Sequence, residues 1–195
     1  ILVDNNPPST SFASFTEGAN PYFQQAIADT MYYNPAQSGS FAVNIDATDT
    51  GSGMNRVDFP TLGGLWSGGG SDSTPPTPYT TPVNYSWTAG ATAPGLQYAM
   101  AFDHAATYAT AGFSIVEDST IPAGGPTSPT NDATLLSGRC YEYQLVVTDQ
   151  VGNTNTYTSP NVLKVDTVAP TGTINPLPVG PITGASNLFT GTSSD

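Results

Sequence analysis

The sequence predicts an all-β chain, an antiparallel β-sandwich of short strands. Three observations carry that expectation. Gly (20) and Pro (18) together approach one residue in five of the 195, a density that breaks helices and suits turns between strands. Tyr (10) and Phe (8) are plentiful, and such side chains fit half-buried pleated surfaces. Several stretches alternate apolar and polar residues between Gly, Asn and Asp turns, the period-two pattern of a strand with one face on a core.

The strands are taken in chain order. Residues 40–47 turn Phe41, Val43 and Ile45 to one face. Asp49 to Gly53 is a turn, and Met54–Phe59 the next strand. Residues 62–82, rich in Gly, Ser and Pro, read as a long loop with Trp66 exposed on it; Val83–Trp87 follows as a short strand with Trp87 in the core. Gly95–Asp103 and the segment containing Tyr108 close this first module. Six or seven strands result, the number expected of a sandwich. Further on, Tyr141, Tyr143, Leu145 and Val147 alternate along residues 141–149 and are expected to face a core. Gln150 to Asn153 forms a turn in which Gly152 takes positive φ. Residues 154–158 and 161–165 return, interrupted by Pro160, which marks an edge or a bulge.

Internal repetition organises the chain. Segments 95–125 and 138–172 each have a Gly turn, a strand ending in Asp (Asp103, Asp149), a hairpin, a strand with Thr-Tyr (Tyr108, Tyr157), and an Asp four residues before a Pro (Asp118, Asp166). Asp4, followed by Pro7 and Pro8, carries the same closing signal. The expected division is a module over 1–118, a truncated module over 119–166 whose closing hairpin packs on the first or borrows strands, and an opening strand of a further module over 167–195. The opening strand of that further module is read at Gly172-Thr173-Ile174 and then Asn187-Leu188-Phe189, and a start in mid-strand at Ile1-Leu2-Val3 with a Gly/Ser/Thr tail suggests a piece of a longer protein.

The run Asp149-Gln150-Val151-Gly152-Asn153, followed by Val165-Asp166-Thr167-Val168-Ala169-Pro170, resembles the tandem bacterial immunoglobulin-like repeats of very large surface proteins. Asp46 to Gly53 is similar to an early turn of those modules. The resemblance implies an Ig-like sandwich with a second, incomplete Ig-like module. It implies a secreted or surface-attached protein acting as spacer or adhesin. Its partners are then neighbouring Ig-like modules or copies of itself. A subunit of an extracellular filament or sheath, assembled by strand exchange, is the alternative.

Charge narrows the chemistry. A formal net charge of −12 repels phosphate backbones and anionic lipid, so neither nucleic acid nor membrane is an expected partner. No apolar run reaches the roughly 18 residues of a membrane span. Converging carboxylates suit Ca²⁺, and Asp46, Asp49, Asp58, Asp118 and Asp166 are the candidate ligands, each also suited to capping a turn. No catalytic role is expected: the lone His104 follows Asp103, and adjacent strand residues point to opposite faces. Cys140 is read as a small buried hydrophobe. Trp66, Trp87, Tyr79 and Tyr85 are the rings that would stack on surface glycans, a further alternative.

Overall fold

The computed structural model describes residues 3–124, 132–176 and 190–194. The chain divides into two compact units, residues 1–124 with 146–155 and residues 125–145 with 156–195. Both are built of strands, and among the described residues the one helical element is a short 3-10 turn at Pro21–Phe23. Among the described residues no helix is long and apolar enough to cross a membrane.

The first unit holds ten strands: β1 (Ser9–Glu17), β2 (Gln24–Ile27), β3 (Thr30–Tyr33), β4 (Gly39–Thr48), β5 (Met54–Phe59), β6 (Trp66–Asp72), β7 (Tyr79–Thr80), β8 (Val83–Trp87), β9 (Gly95–Asp103) and β10 (Tyr108–Glu117). They pair in the order β1-β4-β8-β6-β5-β9-β10-β3-β2, with β7 beside β4. The two end strands β1 and β2 come into contact, so the sheet is nearly closed, like a barrel. Every pairing in it is antiparallel except β3 with β10, where Thr30 faces Ser114 and Tyr33 faces Glu117.

The alternation read from the sequence is what fills the interior. Phe41, Val43 and Ile45 of β4 are fully buried, as are Val57 of β5 and Phe113 and Ile115 of β10. Tyr33, Tyr85 and Trp87 join them, and Ala99, Ala101 and Ala111 are the small residues between which large rings fit. Phe15 meets Phe41 and Phe113 edge-on at 5.6 and 6.3 Å. Such pairs add to simple area burial.

The expected loop at 62–82 is corrected by the structure: it contains β6 and β7. Trp66, Ser67 and Gly69 pair with β8, whereas Gly70, Ser71 and Asp72 pair with β5. One strand thus changes partner from β8 to β5, and three glycines fall where it does so. Gly68 has φ +108, and a Cβ there would lie 2.3 Å from the Asn84 carbonyl oxygen. Trp66, expected in solvent, is turned inward and buried, its Nε1 donating to the Thr92 carbonyl at 2.9 Å. The strands β1 to β3 were not anticipated. The starting strand expected at Ile1-Leu2-Val3 falls partly outside the described residues; Val3 is exposed and not in a strand.

The second unit consists of two-stranded ladders. β11 (Arg139–Tyr141) pairs with β14 (Leu163–Val165), and β15 (Thr171–Ile174) with β16 (Gly191–Ser194). A third ladder joins β12 (Gln144–Thr148) to β13 (Thr154–Thr158), and its far end, residues 146–155, belongs to the first unit. The single strand expected over 141–149 is therefore two, split at Glu142-Tyr143. Tyr143 and Leu145, expected to face a core, are exposed, as are Leu136, Val162, Leu163 and Val168, and Ile174 is 79% exposed. A two-stranded ladder has no second layer to cover its faces. Cys140, expected buried, is exposed on β11 opposite Lys164. The expected strand at Asn187-Leu188-Phe189 lies outside the described residues.

Candidate functional site

Three carboxylates converge at one corner of the first unit. Asp4 comes from the segment before β1, Asp49 from the link between β4 and β5, and Asp103 from the end of β9, where it pairs with Met54 of β5. One oxygen of each lies within 4.8 Å of the others. Every one of them also ties down backbone. Asp4 accepts from the Asn6 N–H at 3.0 Å and from the Ser52 N–H at 2.5 Å. Asp49 accepts from the Gly53 N–H at 2.6 Å, and Asp103, fully buried, from the N–H and hydroxyl of Thr107. The Asn6 and Ser52 N–H groups hold the Asp4 carboxyl below its ordinary value. A hydrogen-bonded anion resists protonation in this way. Three carboxylate oxygens at this spacing are fewer than the six to eight that a Ca²⁺ ion takes, and turn locking accounts for their hydrogen bonds. Asp103→Ala is expected to cost about 1–3 kcal/mol, because it strips the β9–β10 turn of a buried acceptor. Asp103→Asn keeps an acceptor and relieves charge repulsion, so it is expected to cost less. Urea unfolding of the two variants checks the order.

Of the five residues expected as calcium ligands, only Asp49 joins this cluster. Asp46 is exposed and accepts from the Thr77 hydroxyl at 3.0 Å. Asp58 is engaged with Arg56 at 3.0 Å and takes a bond from Ser71. Asp118 and Asp166 cap turns, receiving the N–H groups of Thr120 and Val168. Asp4 and Asp103 were legible only as turn and strand-end markers; their meeting depends on the β5–β9 register.

A second built feature is the seat of the Asp149–Asn153 turn. The turn is internally locked. Asp149 Oδ1 accepts from the Val151 and Asn153 N–H groups at 3.0 and 2.8 Å, and its Oδ2 from the Asn153 amide at 2.9 Å. The turn then docks on residues far away in sequence. The Asn34 side-chain amide donates to the Val151 carbonyl at 3.1 Å and to Asn153 Oδ1 at 3.0 Å. The Asn153 amide donates to the Asp118 carbonyl at 3.0 Å, and the Asn155 amide to the Pro122 carbonyl at 3.1 Å. Val151 is buried. Gly152, at φ +80, lies so close to Phe23 that a Cβ would be 2.8 Å from its ring. Asn34 itself is fixed, its backbone carbonyl accepting from Trp87 Nε1 at 3.2 Å and its Oδ1 from the Ala36 N–H at 2.9 Å. A cavity of about 130 Å³ remains beside the seated turn, lined by Gln25, Ile27, Tyr32, Asp118, Gln150 and Val151.

The rings expected to stack on sugars are all interior: Trp66, Trp87, Tyr79 and Tyr85 are buried. Burial pushes the Tyr85 phenol well above its ordinary value, and burial with Glu117 nearby pushes Tyr33 up to about 12. His104 is exposed in the β9–β10 turn, where its N–H donates to the Gly53 carbonyl at 3.0 Å. No protein-family model, curated protein or solved structure matches the chain.

Proposed function

We propose that the chain is a structural, non-catalytic segment of a large extracellular protein built from tandem Ig-like modules, serving as spacer or adhesive stalk. The observation that carries this reading is the use made of Asp149, Gly152 and Asn153. These are the residues on which the likeness to tandem surface repeats rests, and here they form a locked turn held in a seat rather than a reactive group. The filled aromatic interior of the first unit supports the same reading, since side chains rather than a lumen occupy it. The large, mostly antiparallel sheet is compatible with an Ig-like sandwich as its finer form.

The apolar residues exposed along the second unit's ladders favour a second reading, a filament subunit. Ladders of two strands have open edges that invite pairing with another chain. Electron microscopy of the native material, with sedimentation of the purified chain, tests the choice. Monodisperse particles are expected for the stalk; regular fibres with one chain per repeat would replace it with the filament.

A further inference from the structure

We propose that the seat formed by Phe23, Asn34 and Asp118 is a recognition socket for the Asp149–Asn153 turn that also works between molecules, so that a second copy of the chain inserts its turn there. The inference deepens the filament reading and rests on it, naming the surface through which copies join.

Four features support it. First, turn and socket are separate pieces of chain: the Asn34 bonds to Val151 and Asn153 span 117 and 119 residues. The contacts need only the turn's own geometry, and any copy of the turn carries that. Second, the turn arrives preformed, because Asp149 closes it through three hydrogen bonds before it meets anything else. A preformed element loses little freedom on docking. Third, the socket is selective. It buries Val151, offers a fixed amide to two acceptors, and leaves no room beyond glycine at position 152. Fourth, the turn stands at the tip of the β12–β13 ladder, whose Leu145 and Val146 are exposed, so the element that carries it is not enclosed. Exchange of an identical element between copies reproduces every contact made within one copy. Reciprocal exchange closes as a dimer; one-way exchange leaves a free turn at one end and an empty socket at the other, and the chain of copies grows.

The test uses the full chain and a variant, Gly152→Val, which spoils the turn but leaves the socket untouched. Val151→Asp serves as a second variant of the same kind. A fluorescent cyclic peptide copying residues 148–155 is titrated into each, and sedimentation follows assembly of each. The peptide is expected to bind both variants saturably and the unaltered chain more than about tenfold more weakly, since there the chain's own turn competes at high local concentration. Adding Asn34→Ala to Gly152→Val is expected to abolish that binding. On the filament reading, the unaltered chain associates as its concentration rises and the turn variants stay monomeric. Absence of peptide binding to both variants, or equal binding to variant and unaltered chain, overturns the socket. If the variants assemble as well as the unaltered chain, the socket falls while the filament reading stands. If no species assembles at any concentration, both fall.

Discussion

Replacing Trp87 by Ala is expected to remove about 3–5 kcal/mol of stability, the usual cost of truncating a large buried ring. Trp87 is fully inside the first unit, with Trp66, Tyr33 and Phe41 centred 5.6, 5.4 and 6.4 Å from it. Its Nε1 is also a donor to the Asn34 carbonyl, which keeps the Gln37 N–H at 3.2 Å when the indole is removed. A domain of this kind has about 5–15 kcal/mol in all, which makes the loss close to limiting. Trp87→Phe keeps a ring in the cluster and is expected to cost distinctly less. Urea unfolding, followed through the fluorescence of Trp66, measures both. Near-native stability of Trp87→Ala would mean that the aromatic cluster does not hold the strands of the first unit together.

The second large effect belongs to Gly68. Gly68→Ala is expected to cost about 3 kcal/mol or more, combining an unfavourable backbone conformation with overpacking against a carbonyl that cannot move aside. Gly63 is the internal control. It too has positive φ (+75), yet nothing lies within 4 Å of a Cβ built there, so Gly63→Ala is expected to cost about 1–2 kcal/mol from backbone conformation alone. Thermal unfolding of the two variants separates crowding from conformation. Equal losses would show that the corner tolerates a side chain and that the passage of β6 from β8 to β5 does not depend on close approach.

Where a strand keeps strict alternation, the sequence shows it. β4, β5 and β8 read correctly because Phe41, Val43 and Ile45, then Val57 and Phe59, then Tyr85 and Trp87 recur at period two. β1 did not, for a physical reason: its register slips between Phe12 and Ser14, and the extra residue places Phe12 and Phe15 three apart. β2 and β3 are joined through Ala28, which has φ +53, where an Asn-Gly signal would ordinarily mark a hairpin. β6 reads as loop because glycine serves a corner as readily as a turn. Cys140 and the Tyr143–Leu145 face carry the pattern of a buried strand, but a pattern states which face would be covered, not whether a second layer exists to cover it. The acidic corner is hidden for another reason. Its members stand at positions 4, 49 and 103; the pairing of β9 with β5 brings Asp103 to the Asp49 turn, and the Ser52 N–H holds Asp4 there. The Asp149–Asn153 motif, by contrast, was visible as a turn, while its socket at Phe23 and Asn34 left no local mark.

The parallel pairing of β3 with β10 carries a consequence for how the chain is made. Thr30 leaves the ribosome roughly eighty residues before Ser114, the partner that will cover its edge. At synthesis rates of about 5–20 residues per second, that interval is on the order of 4–16 s. Throughout it the β2–β3 hairpin has one strand edge open and Met31 and Tyr33 without their core. Closure is therefore a late, long-range event of high contact order, the slow kind of folding step. Nascent copies crowded together would meet one another's open edges first, so the timing of synthesis, as much as the finished surface, decides whether copies stay separate.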